Sequence, residues 1–219
     1  MEEGIVIQLQ TEALDENIDI ETLLRKAYLV ARKLQLKDFE KWIQNEQNGY
    51  EDDVPDYRKI SGEIKAWNPY HGWVPVVANG ELADILSTVH MPHPIAVIAE
   101  AYATSDGSIS LSVNGKITEF LNKNTTAFET NYSFKSTRTE LKKILSAVRN
   151  RILEWSIVLE ENGIIGEGVS FTEKEKNVAQ TTPTIVNYTN NFYSNVDNTQ
   201  IQQGGRGNEI CRYGKAWKK

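Results

Sequence analysis

The stretch Thr137–Gly163, TRTELKKILSAVRNRILEWSIVLEENG, decides the fold. Leu141, Ile144, Leu145, Val148, Ile152, Trp155 and Leu159 recur at three- and four-residue spacing, which places them on one face of an α-helix and predicts that this face is buried. Leu153 and Ile157 lie off that stripe, and Arg149 and Arg151 flank its edges. The later turns are therefore expected to be covered on more than one side, either because the helix is central or because it meets a partner.

Toward the N-terminus, Ile5, Ile7, Leu9 and Leu14 fit a helix better than a strand. Asp19 sits as an N-cap ahead of the amphipathic run Leu23, Leu24, Ala27, Val30, Ala31 and Leu34. Leu36, Phe39, Trp42 and Ile43 make a further helix that stops near Gly49. An acidic loop, Glu51 to Arg58, leads into Ile60, Gly62, Ile64 and Ala66, whose alternation predicts a strand. Asn68 to Gly72 has turn composition, so Trp67 and Trp73 bracket a hairpin. Glu81 to Val89 reads as helix, as do Ile95 to Tyr102 and Lys116 to Leu121. Ile109 to Val113 and Phe128 to Phe134 read as strands, and Ser170 with Glu173 has the spacing of a capping box for a short helix over Thr172 to Val178. The expected class is α+β: a mostly helical body with a small antiparallel sheet, followed by an Asn/Gln-rich, β-prone C-terminal tail.

Three regions follow: a globular body over 1–180, an Asn/Gln/Thr-rich segment over 181–205 and a basic end over 206–219. With 219 residues and 40% hydrophobic content, one ordinary core is the expectation. The formal charge of −6 argues against broad nucleic-acid binding. A single cysteine, Cys211, excludes an internal disulfide and fits a reducing, cytoplasmic setting. No apolar run reaches the roughly 20 residues of a membrane span.

The segment 181–205 carries one charge, Asp197, while Val186, Tyr188, Phe192 and Val196 share parity. Uncharged Asn-rich strands of this kind stack in register with identical copies, pairing backbones and aligning amides. The residues expected to carry self-association are Val186, Tyr188, Asn191, Phe192, Asn195, Val196, Asn198, Gln200 and Gln202, with Leu153 and Ile157 as a contact between bodies. The competing reading of this composition is disorder.

Pro55-Asp56 followed by Glu63-Ile64-Lys65 resembles the Pro-Asp and Glu-x-Lys pattern of metal-dependent nucleases. In that chemistry two carboxylates hold a divalent ion and the lysine positions an attacking water. Asp56, Glu63 and Lys65 are the candidate catalytic residues, against the simpler account of a solvated acidic loop before an edge strand. His71, His90 and His93 lack partners at a recognised metal spacing, so neither a metal site nor a cofactor is expected. Trp67, Asn68, His71, Trp73, Arg149 and Arg151 are candidates for a ligand or partner surface. The competing accounts are a tryptophan-buttressed hairpin in the core and a surface pair of Arg151 with Glu154.

Leu23 to Ala27, Ala31 to Leu34, Phe39 to Ile43, Asn48-Gly49-Tyr50 and Lys65 to Trp73 together resemble the AbiTii domain of bacterial abortive-infection proteins. Ala147 to Trp155, Gly166-Glu167-Gly168, Ser170-Phe171 and Gln200 to Gly204 agree. The resemblance implies a role in phage defence and supplies no catalytic residues. It favours ordered self-association of the tail over disorder, so the expected partner is a second copy of the chain, with a phage component or another defence protein as the alternative.

Overall fold

The computed structural model describes residues 3–78, 80–124 and 129–185. Phe128 and the tail residues expected to carry self-association, Val186, Tyr188, Asn191, Phe192, Asn195, Val196, Asn198, Gln200 and Gln202, lie outside the described residues.

Three helices open the chain: α1 (Ile5–Leu14), α2 (Ile20–Leu34) and α3 (Lys37–Asn48). In α1 the buried residues are Ile5, Val6, Leu9 and Ala13, at helical spacing. Asp19 caps α2, its Oδ1 accepting the backbone N–H groups of Glu21 and Thr22 at 2.9 Å. Leu23, Leu24, Ala27, Val30, Ala31 and Leu34 are buried as their spacing requires. Gly49, at φ +94°, ends α3, and a Cβ there would stand 2.9 Å from the Pro92 carbonyl oxygen. Only glycine meets both conditions.

A 3₁₀ turn (Asp56–Arg58) leads to strand β1 (Lys59–Asn68), which forms a hairpin with β2 (Gly72–Pro75). Helix α4 (Glu81–Leu86) is shorter than expected. Thr88 and Val89, read from sequence as its last residues, belong to strand β3 (Thr88–His90), which pairs with Lys59 to Ser61 of β1. The tertiary pairing overrides a local apolar pattern too short to distinguish helix from strand. Then come α5 (Ile95–Thr104), β4 (Ser108–Ser112), α6 (Gly115–Lys123), β5 (Tyr132–Thr137), α7 (Arg138–Glu161) and α8 (Glu173–Thr181).

The five-stranded sheet is antiparallel, in order β2-β1-β5-β4, with β3 on the first residues of β1. Ile60, Ile64, Ile109 and Phe134 turn to its buried face. Gly62 lies between the first two, and the Phe134 ring passes where its Cβ would be.

Helix α7 is central, packing against α1, α2, α5 and the sheet. Leu141, Ile144, Val148, Ile152, Trp155 and Leu159 are buried, and Phe39 stacks on Trp155 with ring centroids 3.8 Å apart. Leu153 is partly buried against this core, whereas Ile157 is 38% exposed. The capping box before α8 is shifted two residues from the expected Ser170 and Glu173. Thr172 and Glu175 form it, because that register lets the Glu175 carboxylate accept the N–H groups of Ile165, Gly166 and Thr172.

Candidate functional site

Helix α3 carries Phe39, Trp42, Ile43 and Glu46 on its buried side. A carboxylate there must be paired, because an unpaired buried charge is prohibitive. Glu46 is met by Arg58, whose Nη2 donates to Oε2 at 2.5 Å and whose Nε donates to Oε1 at 3.2 Å. Tyr50 donates to the same Oε1 at 2.6 Å, and the Tyr57 hydroxyl adds a further short bond. The Trp42 indole N–H donates to Tyr57 at 2.8 Å. The other guanidinium nitrogen, Nη1, donates to the Met91 and His93 carbonyls at 3.0 and 2.6 Å.

Burial alone would lower the Arg58 pKa, but the Glu46 charge outweighs it and the net direction is up. Both phenols are pushed well above the usual tyrosine range, first by burial and then by the Glu46 carboxylate. The network therefore holds its protons at neutral pH. Its role is to clamp α3, the 3₁₀ turn and the Met91–His93 loop together.

Beside the clamp, and lined by its Tyr50, is an open cleft of about 1190 Å³. Lys41, Gln44, Asn45 and Asn48 on α3 make one wall, the loop from Glu51 to Asp56 the other, and Pro92, His93 and Pro94 close one end. Asp56 lines this cleft. Glu63 and Lys65 stand instead on the outer face of β1, where the lysine Nζ is 2.8 Å from Glu63 Oε1. The three residues of the nuclease pattern are thus divided between the cleft and the sheet. Among the described residues, no group of three or more His, Cys, Asp or Glu is placed to hold a metal ion.

Trp67 and Trp73 stand opposite each other on the hairpin, with centroids 5.4 Å apart and rings inclined at 68°. They are not core residues, as the hairpin-in-core account required. They remain 44% and 39% exposed, and Lys135 Nζ lies 5.0 Å from the Trp73 ring centre. Asn68 Oδ1 accepts the N–H groups of Tyr70 and His71, which fixes the turn. The residues are on the outer face because β1 alternates and Ile60, Ile64 and their neighbours claim the inner one.

Arg149 and Arg151 do not join this surface. Arg149 donates to the Glu12, Asp15 and Ile18 carbonyls, closing the end of α1 and the loop after it. Arg151 is 7% exposed and lies 4.3 Å from the Tyr57 ring centre, so it is a buried residue beside the Glu46 network. The sequence showed neither role, since both depend on elements more than 80 residues away in the chain.

No helix of the described residues is long and apolar enough to cross a membrane. Among curated proteins and among solved structures, nothing matches the chain. A family model, AbiTii, matches residues 4–184, which takes in every helix and strand described above. This is the family that the α2, α3, hairpin and α7 residues resemble, and its association is with abortive-infection defence against phage. The chain belongs to the AbiTii family.

Proposed function

We propose that this AbiTii protein acts in the cytoplasm in phage defence by assembling with copies of itself through the segment after α8. One observation carries this reading: residues 181–205 hold a single charge, and their apolar residues Val186, Tyr188, Phe192 and Val196 share parity. Such a strand pairs with identical strands, and Asn191, Asn195, Asn198, Gln200 and Gln202 would align as amide ladders. Tethering bodies to a common stack raises their effective concentration, so weak contacts between bodies become occupied. Ile157, exposed on α7, and Leu153 beneath it supply a contact of that kind.

Ile185 is fully buried, so the truncation that keeps its contacts ends at Ile185. Light scattering and electron microscopy of the full chain, the chain ended at Ile185, and the full chain with Tyr188→Lys and Phe192→Lys test the proposal. Assemblies from the full chain alone support it. A full chain that stays monomeric at about 10 μM, or variants that assemble equally, overturn it.

A second reading is a sensor that binds a phage component through the hairpin, and the exposure of Trp67 and Trp73 favours it. The nuclease reading is tested by incubating DNA and RNA with the protein and magnesium or manganese. Cleavage that Glu63→Ala and Lys65→Ala leave unchanged removes those two residues from it.

A further inference from the structure

The outer face of the sheet is built from few residue types. Along β1, Lys59, Ser61, Glu63, Lys65 and Trp67 alternate outward. Trp73 and Pro75 do so on β2, Ser133 and Lys135 on β5, and Ser108, Ser110 and Ser112 on β4. The register sets these in rows across the strands. Trp67 is opposite Trp73; Lys65 is opposite Ser133, and Ser133 opposite Ser112; Glu63 is opposite Lys135, and Lys135 opposite Ser110. Successive rows are about 7 Å apart, two residues along a strand.

The face thus offers indole rings, hydroxyls and ammonium groups, and apart from Pro75 it offers no aliphatic side chain. A surface built to meet a second copy would be depleted of lysine, glutamate and serine, which make up most of this face. Here the apolar area is confined to two π systems. Because the indoles meet at 68° and are not stacked, neither spends both faces on the other. Lys135 stands between the two chemistries, its Nζ bonded to Ser110 Oγ at 2.7 Å and lying over Trp73. Three lysines against one carboxylate make the face locally positive on a chain whose formal charge is −6.

We propose that this face binds single-stranded nucleic acid. Bases stack on Trp67 and Trp73, every base having a π face to offer; Lys59, Lys65 and Lys135 meet phosphates; the exposed hydroxyls of Ser61, Ser108, Ser110 and Ser112 reach base edges or ribose, whereas Ser133 is buried and donates to the Leu111 carbonyl. A duplex is excluded as the preferred ligand because its bases are already stacked on each other. The net charge disfavours broad phosphate binding, but only three cations are engaged here and the affinity rests mainly on stacking. It deepens the sensor reading by naming the chemical class of what the hairpin meets, and it does not depend on assembly.

The test is fluorescence anisotropy at 50 mM salt with the full chain and labelled 12-nucleotide mixed-sequence single strands of RNA and of DNA, with a 12-base-pair duplex as control. Expected are binding of a single strand in preference to duplex and a salt slope near −2, from about 0.7 per neutralised phosphate. Trp67→Ala is expected to weaken binding about fivefold to a hundredfold, with Trp67→Phe restoring most of it. Comparison of the RNA and DNA arms distinguishes a contact to the 2′-hydroxyl. Trp67 lies outside the core, and circular dichroism confirms that the variants fold. The Tyr188→Lys, Phe192→Lys chain is expected to bind a single strand as a monomer, which separates this inference from assembly. No binding of either single strand at 100 μM protein, tighter binding of duplex, or equal binding by the Trp67→Ala, Trp73→Ala variant overturns it. If binding is absent while a hairpin variant still loses a protein partner from infected cells, the sensor reading survives and the nucleic-acid inference fails.

Discussion

Glu46 and Arg58 form an ion pair from which water is excluded, with both side chains at 0% exposure. Such a pair is costly to break from one side. Glu46→Ala leaves the guanidinium buried with only the Met91 and His93 carbonyls, and is expected to cost about 3–5 kcal/mol in urea unfolding. The double variant Glu46→Leu, Arg58→Met removes both charges and is expected to lose less than the single one. A double variant less stable than Glu46→Ala would show that Arg58 holds the Met91–His93 loop independently of its partner.

The same network predicts an alkaline limit. Burial and the Glu46 charge raise the folded-state pKa values of Tyr50 and Tyr57 above their unfolded ones. Their contribution is fully present below the unfolded tyrosine value of about 10 and is lost as pH rises above it, because only the unfolded chain ionises there. Unfolding free energy measured from pH 8 to 11 is expected to fall less steeply for the Tyr50→Phe, Tyr57→Phe variant than for the parent.

Gly62 has no room for a methyl group. Its Cβ would stand 2.4 Å from the Lys135 carbonyl oxygen and 2.6 Å from the Phe134 ring. The first contact is backbone in the paired strand and cannot yield without opening the sheet. Gly62→Ala is expected to cost about 3 kcal/mol, the upper part of the range for overpacking, read as a lower urea midpoint. Gly72→Ala has open space around its Cβ and carries only the strain of φ +73°, so it is expected to cost less.

Glu175 predicts the acid limb. Burial, the largest single influence, raises its pKa, but bonds donated by Thr172, Gly166 and Ile165 together hold it below the ordinary glutamate value. A carboxylate depressed in this way stabilises the fold above the unfolded value near 4.5, and the contribution is lost as pH falls through the folded one. Glu175→Gln is expected to show a shallower loss of stability between about pH 5 and pH 3 than the parent, by thermal unfolding.

Periodic features were legible from the chain alone. The α2 stripe, the Asp19 cap, the Gly49 stop and the α7 core face all express local spacing, and each was found where its residues put it. The misreadings share a cause. Thr88 to His90 pairs with a strand that begins 29 residues earlier, and Glu175 was preferred over Glu173 because the Ile165 and Gly166 amides lie within its reach. The candidate site was legible only in fragments. Glu46 sits in a helix that reads as polar, Arg58 at the end of an acidic loop and Arg151 on a helix edge; nothing in their own neighbourhoods indicates that Tyr57 joins them. Trp67 and Trp73 were visible as a hairpin, but which face they took depended on where the inner apolar residues found a core.

The placement of α1 sets a condition on how the protein is made. Gln10 bonds the backbone of Ser156, 146 residues later, and the Ile5 and Val6 amides bond carbonyls of Gly168 and Ile165. At about 5–20 residues per second of synthesis, α1 waits some 7–30 s before its partner helix exists. For that interval its apolar face is available to chaperones or to the ribosome surface. The body closes only after residue 168 has emerged, so an interrupted translation releases a chain whose first helix has α2 but lacks α7 to pack on.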